Sequence, residues 1–555
     1  MMAGAGSGPS AAGRSRAYLV APGTVCKSAR FADSLLSVEA EPSLQKPARS
    51  KPTYWLTRFV ILRLLGIVYA VAFLVAAQQL LPLIGSHGLL PLHHFLPRVQ
   101  AYYGSSWDGF RNVPSLFWLN DSDTMLVVLP WIGFALACVV IAGFANSIIM
   151  ILLWALYMSI VHIGQDWYAF GWETQLLETG FLAIFLVPLL DPRPFPRVAP
   201  PIVVIWLFRW LIFRIMIGSA LIKLRGDPCW RDLTALFYYF ETQPIPNPLS
   251  RWFHFLPHPV LQAGVLWNFL AELIAPWFVF WPRIARHIAG SIIILFLVSI
   301  AVSGNLSFLN WLTIIPALAC FDDSFWSRLT PKFVKTPAGK AVQNQRKSIG
   351  AQAAAIGLAC LVAWLSWKPV VNLFSPHQMM NTSFDPLDLV NTYGAFGSIG
   401  RERLNVVFQG TDSDSAIGAV EWKDYLYQAL PVDVQEMPVQ VAPYQPHLDW
   451  QMWFAAMGTY NQYPWTLHLV WKLLHNDPVA LSFFRSNPFP DHPPRYIRAV
   501  LYKYSFVAPG NADGAWWTRE FQDNWLPPLS ADDPHWDSIL NSFGWTDNQT
   551  EQKTE

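Results

Sequence analysis

Phe59-Val-Ile-Leu-Arg-Leu-Leu-Gly-Ile-Val-Tyr-Ala-Val-Ala-Phe-Leu-Val-Ala-Ala-Gln-Gln-Leu-Leu81 runs for 23 residues with one charge, Arg63. A bilayer core takes about 20 predominantly apolar residues as a helix, so this stretch reads as a membrane span. Eight more follow: Met125–Phe144, Ser147–Ile163, Leu176–Leu190, Ile202–Ile222, Val260–Phe280, Ile284–Val302, Leu306–Phe321 and Ala351–Trp367. The second and third are parted only by Gly143 to Asn146 and form a hairpin. The fourth and eighth are short, which leaves a re-entrant or tilted segment open there. Past residue 370 no further span occurs. The expected fold is a multi-pass α-helical membrane bundle of about nine spans, 51–370, followed by an α+β extramembrane domain, 371–555.

Positive charge keeps returning to the same side. Arg49, Lys51 and Arg58 precede the first span, Arg193 and Arg197 follow the fourth, and Arg283 and Arg286 follow the sixth. Arg328, Lys332, Lys335, Lys340, Arg346 and Lys347 follow the eighth. Cytoplasmic loops collect Lys and Arg. Nine crossings from a cytoplasmic N-terminus put every cluster in the cytoplasm and the terminal domain in a lumen or outside the cell. The sequons at Asn120, Asn305, Asn381 and Asn548 then share that far side. Asn305 lies too near the membrane, which leaves Asn120, Asn381 and Asn548 as candidate glycosylation sites. Residues 1–50, rich in Ala, Gly, Ser and Pro, read as a disordered cytoplasmic tail; Asp33, Glu39 and Glu41 argue against a transit peptide.

Composition agrees. Charged residues are 14% of the chain, against roughly 25% in soluble domains. The net charge of +1 gives no electrostatic basis for binding nucleic acid. Five Cys are scattered singly and the terminal domain has none, so it is neither a disulfide scaffold nor a thiol-exchange module. His87, His93, His94, His254 and His258 lack metal-ligand spacing. No nucleophile-elbow, P-loop or dinucleotide motif occurs. Neither a metal nor a cofactor is expected.

Ionisable groups inside spans cost about 3 kcal/mol each on insertion scales. Arg63, Glu178, Arg209, Arg214 and Glu272 are such groups. Arg209 and Arg214 lie five residues apart, about 140° around a helix, so they need separate partners, and Glu178 and Glu272 are the obvious acids. The set is either a structural network or the lining of a buried pocket. Lys223 falls where the fifth span meets the far interface. There it either snorkels its ammonium to water or serves as a base at an embedded site.

In the terminal domain, Arg403–Gln409 and Arg495–Val507 carry β-formers with partial alternation and read as strands. Leu448–Met457 and Trp465–His475 have helical spacing, with Gly458 and Asn476 as stops. Its many Trp residues are expected to be core for the most part, and those left exposed would suit holding another protein's apolar surface.

Several long stretches resemble the lipase maturation factor family. They are Ile84–Pro91, Gln175–Leu182, Gly218–Trp230, Tyr238–Pro248, Leu448–Phe454, and Asn487–Phe489 with Pro493–Arg498. The resemblance runs from Leu56 to about Trp525. It implies a folding factor of the endoplasmic reticulum membrane, multi-pass, whose lumenal terminal domain assists secreted clients, lipases among them. In a bacterium the inner membrane would replace the reticulum. Asp449, Trp450, Trp453, Phe454, Pro493, Arg495 and Arg498 are then candidates for client contact or domain integrity. Gly218–Trp230 is also similar to the lysine segment of vitamin K-dependent carboxylase-like membrane proteins, although the interval from Lys223 to Trp230 is longer here. That likeness implies an alternative function, a membrane enzyme with Lys223 as base.

Overall fold

A computed structural model describes residues 52–511 and 513–545. The tail at 1–50, Arg49, Lys51 and Asn548 lie outside the described residues.

All nine apolar stretches contain a helix. They are α1 (Trp55–Ile84), α2 (Asp123–Ala142), α3 (Ser147–Ile163), α4 (Gly171–Ile184), α5 (Ile202–Arg225), α6 (His258–Phe280, including its irregular end), α7 (Arg283–Ser303), α8 (Leu309–Cys320) and α9 (Ile349–Phe374). Among the described residues six are long and apolar enough to cross a membrane, while α3 and α8 are apolar but shorter. The fourth departs most from expectation. It starts five residues earlier than read, stops at Ile184, and at about 1.5 Å per residue is too short to cross alone. Helix α5 is the hub, buried along most of its length. The α2–α3 hairpin forms as expected: Gly143 takes a left-handed φ of 120°, and the Asn146 side chain accepts from Ile149 N at 2.9 Å.

The helix ends gather into two layers. At one end, Asp323 accepts the first amides of α1, Trp55 N at 3.0 Å and Leu56 N at 2.8 Å, where an acid suits the helix dipole. Arg58 donates to Val198 O, and Arg283 and Arg286 both reach Asp322. The basic clusters therefore share this end. At the other end, the last turn of α1, the start of α4 and the loop after α5 all meet the terminal domain.

That domain holds β1 (Arg403–Thr411), β2 (Lys423–Asp424), β3 (Tyr496–Phe506) and β4 (Trp517–Ser530), an antiparallel sheet in the order β2-β1-β3-β4. Helices α10 (His447–Ala455) and α11 (Trp465–Leu473) cover it. Asn476 takes a φ of 52° just past α11, as a helix stop requires.

The joint between domain and bundle is polar and buried. Gln79 of α1 donates to Gln445 O at 2.7 Å and accepts from His447 N at 3.0 Å. Arg403 of β1, fully buried, donates to Gln243 O and Pro244 O in the loop after α5. Arg251 donates to Val507 O at 2.7 Å. Asn305 is buried here, with its amide donating to Val439 O and accepting from Val441 N.

Candidate functional site

A cavity of about 650 Å3 lies where the bundle meets the terminal domain. Helices α5, α6, α7 and α8 supply its walls, and Trp450, Trp453, Phe454 and Met457 reach it from α10 and the turn beyond. Val260 and Met457 on its lining are exposed, so the cavity reaches the surface.

Lys223 lies in this wall, and its side chain is only 4% exposed. The snorkelling expectation fails because α5 is enclosed here and a partner waits inside. Its Nζ donates to Glu272 Oε1 and Oε2, both at 2.7 Å, and to Asn268 Oδ1 at 3.0 Å. The face of Trp230 lies 4.9 Å from the ammonium. Local chain chemistry explains where Glu272 sits. Pro276 has no N–H to offer the carbonyl four residues back, and its ring crowds that carbonyl. The carbonyl belongs to Glu272. The α-helix gives way to a π-turn over Leu270–Ile274, followed by a 3-10 turn through Phe280, the kind of break a Pro within a helix produces.

The other intramembrane charges divide differently from expectation. Glu178 does pair with Arg214. Arg209 does not take Glu272; it donates to Ala319 O and Tyr54 OH, both at 2.9 Å, and lies over Trp206. Glu272 is already held by Lys223. Among the described residues no carboxylate pairs with Arg63, which rests on the ring of Phe59 at 4.2 Å. The Glu178–Arg214 pair has an unforeseen third member, the chain past α9. Arg214 donates to Asn391 O, while Glu178 accepts from Asn391 N and from Tyr393 OH. Gly218 makes room for this segment, since a Cβ there would stand 2.3 Å from Tyr393 O. Irregular backbone at this depth is tolerated because protein buries it.

The terminal-domain candidates also sort themselves. Asp449 is buried and accepts from Ala429 N and Leu430 N; burial, opposed by those amides, leaves its carboxyl raised to about 6. Trp450 packs on Phe170 and Trp172 of the bundle, Phe454 packs on Phe170, and Trp453 Nε1 donates to Thr242 O at 3.1 Å. This segment docks the domain. Arg498 lies over Trp422 at 4.1 Å and donates to Gln409 at 2.8 Å. Pro493 and Arg495 are exposed. Most of the Trp residues are core, as expected: Trp450, Trp465, Trp517 and Trp525 are buried, while Trp453, Trp471 and Trp516 are half-buried, so no Trp among these is left fully exposed to hold a client. Asn120 and Asn381 are exposed, as glycosylation would need.

Two buried histidines make the joint acid-sensitive. Burial pushes the imidazoles of His447 and His468 down to about 3, with Lys472 adding to the effect at His468. A folded pKa below the unfolded 6.5 means each contribution is complete above pH 6.5 and lost as pH falls towards 3. By pH 5 each histidine costs about 2 kcal/mol. Asp449 acts in reverse, since the cost of ionising it is relieved below its raised pKa, and offsets about 1 kcal/mol. Thermal unfolding in detergent should therefore begin at lower temperature at pH 5 than at pH 7, and His468→Gln should flatten the difference. A pH-independent midpoint would contradict this.

Three further polar groups on the cavity were not singled out in the sequence: Ser219, Tyr239 and Asn310. They were missed because uncharged residues carry little signal in an apolar run. Asn268 was legible in principle, four residues before Glu272 and so on the same helical face.

These features define a polytopic membrane protein whose extramembrane domain is docked on one end of the bundle and closes a largely apolar cavity that holds a few polar groups. Residues 56–328 match the lipase maturation factor transmembrane domain, and residues 389–527 match the lipase maturation factor C-terminal domain. Lipase maturation factor 1 of Bos taurus is 46% identical over 513 residues, 88% of this chain and 91% of its own length. Lipase maturation factor 1 of Homo sapiens is 46% identical over 87% of this chain and 89% of its own. Lipase maturation factor 2 of Xenopus laevis is 28% identical over 86% and 83%. The chain belongs to the lipase maturation factor family. No solved structure matches it.

Proposed function

We propose that the chain is a maturation factor of the endoplasmic reticulum membrane that assists folding and assembly of secreted lipases through a lumenal terminal domain. The observation that carries this reading is the docking of that domain on the bundle end opposite the described basic residues Arg58, Arg197, Arg283, Arg286 and Arg346. With the basic end cytoplasmic, the domain faces the compartment where secreted proteins fold.

The buried aromatics leave the client surface to other elements. The edge strand β4 exposes an unbroken run from Thr518 to Asn524, with Phe521 56% exposed. Edge strands pair readily with extended segments of another chain. Pro493 and Arg495 add exposed contacts at the other end of the sheet's neighbouring strand. Phe521→Glu should leave the chain folded in the membrane but lower the active lipase secreted by cells lacking their own factor, by about tenfold. Undiminished secretion would rule out β4 as the client surface.

The geometry favours this over the membrane-enzyme reading. A base needs a free lone pair on Nζ. Nζ of Lys223 is instead held by Glu272 Oε1 and Oε2 and by Asn268 Oδ1, so it is engaged by three protein acceptors rather than presented to a substrate.

A further inference from the structure

Ser219, Tyr239 and Asn310 line the cavity, each more than nine-tenths buried, and their side chains have no hydrogen-bond partner among the described residues. Protein interiors pair nearly all such groups. Three unpaired on one cavity point to a partner that enters from outside. Most of the remaining wall is apolar, including Leu261, Trp267, Phe296, Leu297 and Ile300. A volume of about 650 Å3 falls within the roughly 300–1,000 Å3 of small-molecule sites.

The charges restrict what can enter. Lys223 and Glu272 neutralise one another at 2.7 Å, and Asn268 Oδ1 also accepts from Nζ. A carboxylate or ammonium head would bring an uncompensated charge into an apolar site, which is strongly unfavourable. Hydroxyls and an amide instead suit a head that both donates and accepts. The surface opening includes Val260, close to the first turn of α6, where the span begins and lipid meets water.

We propose that the cavity binds a neutral single-chain amphiphile, of the monoacylglycerol or fatty-alcohol class. Ser219, Tyr239 and Asn310 hydrogen-bond its hydroxylated head, and the chain lies along Leu261, Phe296, Leu297 and Ile300. The roof formed by Trp450, Trp453 and Phe454 belongs to the docked domain, so occupancy also strengthens the joint. The proposal does not depend on the client being a lipase.

The test uses the full chain in phosphatidylcholine nanodiscs with a diazirine-bearing 1-monooleoylglycerol, mapping crosslinked peptides. Saturable labelling of α6, α7 and α8 at the cavity is expected, competed by unlabelled 1-monooleoylglycerol and about tenfold less by oleate. Asn310→Leu should weaken labelling about tenfold without lowering the unliganded midpoint, because no protein partner is lost. Ile300→Trp should abolish it by filling the chain wall. Labelling confined to lipid-facing positions, or equal competition by oleate, would overturn the proposal. The wild-type crosslink map decides it even if neither variant folds.

Discussion

Glu272→Ala is expected to destabilise the folded chain by about 3–5 kcal/mol, because it leaves Lys223 as a buried charge without its counter-ion. Both carboxylate oxygens of Glu272 accept from Lys223 at 2.7 Å, and both residues are nearly inaccessible. Asn268 is too weak an acceptor to substitute. The worth of the pair itself is another matter, because desolvation consumes much of what the charges gain from each other. Removing both ends with Lys223→Met and Glu272→Leu should therefore recover most of the loss. Thermal unfolding of the solubilised chain reads both effects. A single variant within about 0.5 kcal/mol of the parent, as at an ordinary surface site, would mean the pair is not formed.

Trp450→Ala should cost about 3–5 kcal/mol by leaving a cavity in a well-packed aromatic cluster. The indole lies 4.9 Å from the ring of Trp172 and 5.8 Å from that of Phe170, both on the bundle side. The loss therefore falls on the joint as well as on the domain core. Limited proteolysis of the solubilised chain should release the terminal domain faster from this variant. Arg495→Ala, which removes only an exposed contact with Asp414, should leave the rate unchanged. Equal release from both variants would refute the docking role of α10.

The bundle was legible because lipid imposes one rule on every span: a long run of apolar residues. Strands β1 and β3 were legible from their β-branched and aromatic residues, although β1, between two neighbours in the sheet, is buried on nearly its whole length rather than on one face. Strand β4, the longest, was not. It exposes seven residues in succession and carries Pro527 and Pro528, which only an edge strand accepts. The charged residues were legible as a set but not as pairs. Helical spacing shows that Arg209 and Arg214 diverge, yet it cannot show that Glu272 is claimed by Lys223 from a neighbouring helix. Nor can it show that Asn391 and Tyr393, outside every span, return to hold Glu178. The π-turn at Glu272 was signalled by Pro276 alone. That most of the terminal-domain Trp would be core was legible from composition, but not where each would pack: Trp450 lies on Trp172 of the bundle, whereas Trp517 packs within the domain on Phe506.

Protease added to sealed microsomes from cells expressing the chain with a C-terminal tag is the most direct measurement. The terminal domain should survive intact until detergent opens the vesicles, while the basic segment around Lys332–Gln343 is cut at once. Digestion of the tagged domain in unopened vesicles would place it with the basic clusters, and the maturation-factor account would fail.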